Sequence, residues 1–437
     1  LRLAIPYHAG MNIDRWNPEL AATFDVPYPE GSLKAQAFRV NLDGLTIYII
    51  KAGPIGRPGP VYSMVTQEDG EKFTAFSLAA LELARALDWA PDILHANDWH
   101  TAAAVYALAL RKERDPFFAH THSVLTLHNL PFMGAGVEAA MEKFGLPASN
   151  DPRLPVWARQ FPLPLGLLSA DRIVAVSPSY AREVLTPDFG CSLESFLLTR
   201  QDAVLGILNG LDQIVWEPRH DSALAATYSD EDLSGKAACR SALHREFELE
   251  ESASEPLLTV VSRMDQQKGI DLVVECLRQS LDLPWKAIIL GSGDPTLERA
   301  CLQLQEEHPQ RVRAAIRFDS QLSHRMYAGA DMLLMPSRYE PCGLSQMIAM
   351  RYGTLPVASE VGGLKDTIQV RQGNREGTGF LFHPVSVAAF RGALQDAVSA
   401  YQTPPRWKTM QTLAMRQDFS WARSALDYAL LYLKLKG

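Results

Sequence analysis

Several features that define large classes of protein are missing from this sequence. No apolar run approaches the roughly 18 residues of a membrane-spanning helix, so we expect no membrane association. The five cysteines are scattered and include no Cys-x-x-Cys pair, which favours a reducing compartment over a disulfide framework. Basic residues (42) are fewer than acidic ones (50), and the net charge of −8 argues against broad binding to nucleic acid.

The remaining composition is that of an ordinary globular protein. At 437 residues, 47% hydrophobic and 21% charged, the chain is expected to form two or three domains. Short apolar segments with little alternation are separated by helix-period segments, a pattern typical of parallel strands covered on both faces. The fold class is therefore predicted to be α/β, with doubly wound, Rossmann-like sheets. The predicted strands are Ile93–His95, Val124–Leu127, Arg172–Val176, Leu257–Ser262, Lys286–Leu290, Met332–Pro336 and Leu355–Ala358.

A change in composition marks a domain boundary. Glu246–Glu255 is acidic and serine-containing, and Pro256 then opens a new strand. We therefore predict an N-terminal domain over residues 1–245 and a C-terminal domain over 246–417. A final helical segment, 418–437, is predicted to pack back on the N-terminal domain. Sheets of this kind bind ligands at the carboxyl ends of their strands, which predicts a site in the cleft between the domains.

Two loops of the C-terminal half are suited to a phosphorylated ligand. Arg263 and Lys268 follow one strand and precede a helix that begins near Ile270, so two cations and a helix N-terminus come together. The alternative is a pair of solvated surface charges. Gly291 and Gly293 follow the next strand, but Thr296 stands where a dinucleotide fingerprint needs its third glycine. Either the backbone approaches a nucleotide there, or the segment is a plain turn before a helix.

Two further loops are suited to sugar recognition. Glu340 lies after a strand with Pro341 and Gly343, which offers a carboxylate and bare amide groups to sugar hydroxyls. The alternative is a helix cap beside a surface glutamate. Gly362 and Gly363 form a second glycine loop after the following strand.

The N-terminal half places polar side chains after two predicted strands. Asp98 and His100 follow one strand, and His128 follows the next. Histidines beside a carboxylate suggest a metal, but the spacing matches no zinc pattern and no cysteine pair accompanies it, so no metal is expected. Catalytic-serine and P-loop patterns are absent from the sequence.

Together these segments resemble bacterial glycogen synthases and plant starch synthases, retaining glucosyltransferases of GT-B architecture. The resemblance covers nearly the whole chain, in the order of the family. It rests on Ile93–His100, Thr126–Leu130, Ala175–Glu183, Ile207–Asp212, Val261–Asp271, Leu290–Pro295, Pro336–Gln346, Gly353–Pro356, Gly362–Thr367 and Asp418–Trp421.

The resemblance implies roles for individual residues. Arg263 and Lys268 match the pair at the donor pyrophosphate, and Glu340 matches the acid beside the transferred glucose. Asp98 and His128 match catalytic positions at the glucosyl group. The implied donor-binding residues are Asn209, Gly291, Gly293, Phe318 (stacked on adenine), Cys342, Gly343, Leu344 and Ser345. The implied supporting residues are His100, Gly362 and Gly363.

The implied activity is transfer of glucose from ADP-glucose to the non-reducing end of an α-1,4-glucan, with no cofactor and no metal. The implied partners are the nucleotide-sugar donor and the glucan acceptor. The implied location is the cytoplasm, or a plastid if a transit peptide precedes the sequence. The alternatives are a related GT-B transferase with another acceptor, and a pseudoenzyme that binds nucleotide-sugar.

The sequence departs from the family pattern at several positions. Glu68, Pro164 and Ser192 replace residues that are usual in the family, which leaves acceptor handling open. The glycine-rich Lys-x-Gly-Gly-Leu loop of the family precedes the strand that Arg2–Pro6 matches. We therefore expect roughly 30 to 45 residues upstream, about one βα unit and the start of the next.

Overall fold

The computed structural model describes residues 1–63 and 65–437. The chain divides into two compact units. Unit 1 consists of Leu1–Ala175, Ala181–Gly206 and Ala429–Gly437, and unit 2 consists of Val176–Tyr180 and Ile207–Tyr428.

Unit 1 contains a mixed four-stranded sheet with the order β1-β4-β3-β2. Its strands are β1 (Arg2–Pro6), β2 (Glu19–Tyr28), β3 (Gly31–Leu42) and β4 (Leu45–Ala52). Strands β2, β3 and β4 are antiparallel, so the expectation of parallel strands throughout the chain is wrong here. The physical reason is the connection between β3 and β4, where Asp43 and Gly44 both have positive φ and form a two-residue hairpin turn.

The second sheet of unit 1 is entirely parallel, as predicted, with the order β5-β6-β7-β8. Its strands are β5 (Ile93–Asn97), β6 (His122–Leu127), β7 (Arg172–Ala175) and β8 (Val204–Gly206). The helices in this part of the chain are α1 (Thr66–Ala86), α2 (Asp98–Lys112), α3 (Glu138–Lys143), α4 (Pro162–Ser169), α5 (Pro178–Glu183) and α6 (Glu194–Leu198).

Unit 2 is built on one six-stranded parallel sheet with the order β11-β10-β9-β12-β13-β14. Its strands are β9 (Leu257–Val261), β10 (Lys286–Gly291), β11 (Val312–Ile316), β12 (Met332–Met335), β13 (Leu355–Ser359) and β14 (Phe380–Phe382). The strand order reverses between β9 and β12, and in doubly wound sheets the ligand crevice lies at the carboxyl ends of the strands at this reversal. The predicted α/β fold is thus confirmed.

Helices follow the strands of unit 2 and cover their apolar side chains. They are α7 (Ser234–Glu246), α8 (Ile270–Arg278), α9 (Pro295–Glu307), α10 (Ser320–Gly329), α11 (Ser345–Arg351), α12 (Gly362–Thr367), α13 (Val387–Tyr401) and α14 (Pro404–Met415). A last helix, α15 (Trp421–Lys436), begins in unit 2 and ends among the residues that group with unit 1. One core cluster packs Leu243 of α7 and Leu322 and Met326 of α10 against Leu257 and Ile288 of the sheet. Burial of such side chains is the main stabilising contribution to the unit.

The division between the units falls after Gly206, not at the predicted 245/246. Helix α7 lies before the predicted boundary, yet it belongs to unit 2 because its polar side chains bind there. Arg240 Nε donates to Asp331 Oδ2 at 3.1 Å, and Lys236 Nζ donates to the carbonyl of Ala328 at 2.9 Å. The acidic stretch after α7 is therefore a loop inside unit 2.

The C-terminal residues Ala429–Gly437 group with unit 1. There the hydroxyl of Tyr432 lies 2.6 Å from His95 Nδ1, and Lys436 forms an ion pair with Asp92 at 3.1 Å. Among residues 1–63 and 65–437, none of the helices has the length and apolar character needed to cross a membrane.

Candidate active site

The loops that follow β9 and β12 meet at the point where the strand order of unit 2 reverses. Lys268, on the first loop, donates from Nζ to both carboxylate oxygens of Glu340, on the second, at 2.9 and 2.6 Å. Glu340 is only 4% exposed, and its buried carboxylate is compensated by the charge of Lys268 and by a hydrogen bond from the hydroxyl of Ser337, which donates to Oε2 at 3.0 Å. Two of the predicted catalytic residues are thus brought together.

The backbone of the Glu340 loop is held by hydrogen bonds on several sides. The amide of Gly363 donates to the carbonyl of Glu340 at 2.9 Å. The side-chain amide of Gln346 donates to the carbonyls of Cys342 and Gly343 at 3.0 and 2.9 Å. Because these donors come from α11 and α12, the conformation of the loop depends on both helices.

Close approach of backbone to backbone explains the glycines at this edge of the sheet. A Cβ at Gly363 would lie 1.9 Å from the carbonyl oxygen of Cys342, and a Cβ at Gly291 would lie 2.0 Å from that of Ser262. Gly293 bridges to Met264, whose carbonyl accepts from the amide of Asp294 at 2.7 Å. These glycines therefore pack one loop onto the next, and Pro295 opens α9 as the plain-turn interpretation predicts.

Other predicted donor residues lie around the same edge. Arg263 has an exposed side chain that pairs with Asp265 at 3.1 Å. Phe318 follows β11 and is 90% exposed, while Leu344 and Ser345 stand at the start of α11.

Cys342 is a buried thiol beside the Glu340 loop. Burial raises the pKa of Cys342 to about 12, and the backbone of Asn209 lies within hydrogen-bonding reach of its sulfur. Asn209 is thereby placed next to the Glu340 loop, whereas the thiol stays protonated and unreactive at neutral pH.

In unit 1 a second carboxylate lies at the start of a helix. Asp98 is the first residue of α2, has a φ of 51°, and accepts from the amides of His128 and Asn129 at 2.7 and 3.4 Å. Burial raises the pKa of Asp98, although His128 and the two amides oppose this shift. The bond from the His128 amide brings the predicted pair Asp98 and His128 together. The Nε2 atom of His128 lies 3.0 Å from Asn97 Oδ1.

His100 belongs to an aromatic cluster. Its ring lies 4.7 Å from that of Phe73 and 4.2 Å from that of Trp99, between ring centroids. Burial lowers the pKa of His100 to about 4, so the ring is neutral near pH 7. A neutral ring packed in this way supports the chain around Asp98.

An ion pair near His100 was not among the predicted site residues. Lys72 pairs with Asp69 at 2.7 Å, and both side chains are almost fully buried. Asp69 also accepts from the amide of Ser63 at 3.1 and 2.9 Å. The sequence signal was the three-residue spacing on a helix, which places the two side chains on one face.

Within the described residues, no group of three or more His, Cys, Asp or Glu side chains is arranged to hold a metal ion. His95, which also lies in this region, has polar partners among the described residues. Its Nε2 atom lies 2.6 Å from Thr126 Oγ1, and burial lowers the pKa of His95 to about 4.

Comparisons with known proteins show the family to which the chain belongs. Residues 1–199 match the family model described as "Starch synthase catalytic domain", and residues 244–411 match "Glycosyl transferases group 1". A glycogen synthase of Anaeromyxobacter sp. (strain Fw109-5) is 42% identical over 379 residues, which are 84% of this chain and 78% of the relative. The chain belongs to the glycogen synthase and starch synthase family. Another member, from Streptococcus gordonii, is 40% identical over 404 residues, 91% of this chain and 84% of the relative.

Solved structures identify the fold as GT-B. The catalytic domain of starch synthase IV from Arabidopsis thaliana, bound to ADP and acarbose, superposes with a TM-score of 0.87. It is 30% identical, over all of this chain and 92% of that one. The fold is shared by sucrose-phosphate synthase from Thermosynechococcus elongatus, with a TM-score of 0.58. That protein is 20% identical, over 91% of this chain and 85% of that one. The protein is therefore a glycosyltransferase of the glycogen and starch synthase type.

Proposed function

We propose that this glycogen synthase family member transfers glucose from ADP-glucose to the non-reducing end of an α-1,4-glucan, with retention of the anomeric configuration. The observation that carries the proposal is the Lys268–Glu340 pair at the strand reversal of unit 2, where Nζ lies 2.6 Å from Oε2. A cation and a carboxylate at one point suit the two opposite charges that develop when a sugar–diphosphate bond breaks.

Four of the five predicted catalytic residues carry charges suited to this reaction. The leaving diphosphate gains negative charge, which Arg263, Lys268 and the N-terminus of α8 stabilise. The glucosyl group gains oxocarbenium character, which the carboxylates Glu340 and Asp98 stabilise. We assign no enzyme nucleophile and no metal, because these charges account for the chemistry without either.

The preference for ADP-glucose rests on Phe318. Its ring is 90% exposed, so its face is free to stack on a base, and a purine offers the larger overlap. The starch synthase IV structure, 30% identical to this chain, was solved with ADP.

The test measures nucleotide release by the purified chain with glycogen and either ADP-glucose or UDP-glucose. We expect ADP release that depends on glycogen, and at least tenfold lower kcat/KM with UDP-glucose. Digestion of radiolabelled product by an exo-acting α-glucosidase tests retention. Binding of ADP-glucose without release, or release that only another acceptor supports, would contradict the proposal.

A further inference from the structure

A short segment that follows β7 along the chain groups with unit 2. This segment, Val176–Tyr180, is flanked on both sides by residues of unit 1. It carries two serines, Ser177 and Ser179, which are 0% and 3% exposed. Buried hydroxyls require hydrogen-bond partners, and the partners of these two lie beside the Glu340 loop.

Ser177 binds the residue that follows Glu340. Its Oγ donates to the carbonyl of Pro341 at 2.6 Å and accepts from the amide of Tyr180 at 3.1 Å. Because a hydroxyl has a single proton, the bond from Tyr180 leaves that proton to Pro341. The carbonyl of Glu340 is held by the amide of Gly363, so two successive carbonyls are fixed by donors from two different segments.

Ser179 binds the helix that supplies the second of these donors. The Ser179 amide donates to Asp366 Oδ2 at 2.6 Å, and its hydroxyl donates to Oδ1 at 2.7 Å. Asp366 lies on α12, the helix that contains Gly363. The segment, α12 and the Glu340 loop are therefore linked in a closed circuit of hydrogen bonds.

We infer that Ser177 is a positioning residue for glucosyl transfer, which acts by fixing the backbone from which the Glu340 carboxylate projects. The inference rests on the catalytic role proposed above for Glu340. Loss of the hydroxyl removes a donor from a buried carbonyl, and the loop relaxes to restore the lost bond. A displacement of about 1 Å at a catalytic group costs on the order of a hundredfold in rate.

The decisive variant is Ser177→Ala, with Ser123→Ala as the matched control. Ser123 is a buried serine of β6 whose hydroxyl also donates once, to Asp171 Oδ2 at 3.0 Å, and accepts once, from the Asp171 amide at 3.0 Å. Each variant therefore loses one donated and one accepted hydrogen bond. The bond that Ser123 donates goes to a carboxylate and is the stronger one, and only Ser177 adjoins the Glu340 loop. We compare kcat, the Kd for ADP by calorimetry, and Tm.

The expected result for Ser177→Ala is a ten- to hundredfold fall in kcat, with the Kd for ADP within threefold of the unaltered chain. Its Tm should fall no further than that of Ser123→Ala, which keeps its kcat. Ser177→Thr, which returns the hydroxyl, should recover most of the rate. A kcat within twofold of normal in Ser177→Ala, or an equal fall in Ser123→Ala, would overturn the inference.

Two further variants keep the outcome unambiguous. If Ser177→Ala does not fold, Ser179→Ala provides the test, because it loses one of the two bonds to Asp366. A threefold or greater fall in kcat then supports the positioning role, and a normal kcat refutes it.

The variant Glu340→Gln separates the positioning role from the proposed function. Normal activity in Glu340→Gln removes the proposed role of Glu340, whereas an inactive Glu340→Gln with a normal Ser177→Ala removes the positioning role alone.

Discussion

The two units bury a carboxylate in different ways. In unit 2, Glu340 is neutralised by a full positive charge, because Lys268 Nζ contacts both of its oxygens. In unit 1, Asp98 accepts from two backbone amides, and burial raises its pKa. A salt bridge compensates a buried carboxylate for lost hydration more completely than two amide dipoles do, so the effect of burial is left to dominate at Asp98.

The largest expected effect comes from removing cations in unit 2. Lys268→Ala and Arg263→Ala should each lower kcat about a hundredfold, on the order of 3 kcal/mol, because each deletes a charge that stabilises the departing diphosphate. Steady-state release of ADP measures the loss. Arg278→Ala, which breaks an ion pair with Glu307 remote from the site, should keep normal turnover. Near-normal rates in either site variant would show that the diphosphate assignment is mistaken.

Unit 2 also contains a buried cation, Lys236, that has no carboxylate in ion-pair contact among the described residues. It can be compared with Lys268, which does have such a partner. Lys236 donates to the carbonyls of Ala328 and Tyr352 and to Thr354 Oγ1 at 2.8 to 2.9 Å. Burial lowers the pKa of Lys236 from its usual 10.5 to about 8. Between pH 8 and 10.5 the unfolded chain therefore binds a proton that the native chain does not, so this group makes the native state more stable as pH rises.

We expect this contribution to reach on the order of 3 kcal/mol across that window, from a shift of roughly 2.5 pKa units. Urea unfolding of the unaltered chain and of Lys236→Met, at pH 8 and at pH 10, isolates it. The difference in unfolding free energy between the two proteins should change with pH in this direction. A difference that is independent of pH would show that Lys236 titrates normally.

Neutral isosteres of the two carboxylates should change stability in opposite directions. Glu340→Gln leaves Lys268 without its partner, so the free energy of unfolding should fall by about 2 kcal/mol. Asp98 has a raised pKa, so its ionisation increasingly destabilises the native state as pH rises above the pKa of the unfolded chain, and Asp98→Asn should remove this penalty. Asp98→Asn should therefore be at least as stable as the unaltered chain at pH 7.

Thermal unfolding of both isosteres at pH 4.5 and pH 7 tests this contrast. The advantage of Asp98→Asn should shrink at the lower pH, because the raised pKa lets the native carboxylate take up a proton more readily than the unfolded one. Both variants should lose turnover, since each removes a charge assigned to the transition state. A drop in stability for Asp98→Asn comparable with that of Glu340→Gln would remove the distinction between the units.

Four of the six strands of unit 2 were predicted because each is a compact apolar run, and β9, β10, β12 and β13 begin at their predicted residues, whereas β11 and β14 were not predicted. The hairpin of β3 and β4 was missed although Asp43-Gly44 is a typical hairpin signal. Contact between Lys268 and Glu340, 72 residues apart, depends on β9 lying next to β12, which no local pattern specifies. The resemblance to the family supplied the predicted site residues, whereas the hydrogen bonds of Ser177 could be identified only from the three-dimensional structure.

The smallest expected effect concerns backbone strain, which unit 1 carries at Asp98 and also at Ser192. Ser192 has a φ of 62° and an exposed side chain, next to Cys191 with a φ of 52°. A left-handed conformation costs a non-glycine residue about 1 to 2 kcal/mol of native-state stability. Glycine avoids this cost, but it lowers the free energy of unfolding by about 0.5 to 1 kcal/mol because it has more conformational freedom in the unfolded chain. Ser192→Gly should therefore raise the free energy of unfolding by about 0.5 kcal/mol without changing turnover.

The control is Ser222→Gly. Ser222 is an exposed loop serine without a positive φ, so this substitution should lower the free energy of unfolding. Denaturant unfolding of both variants gives the sign, and a loss of stability in Ser192→Gly would mean that Ser192 is not strained in the native chain.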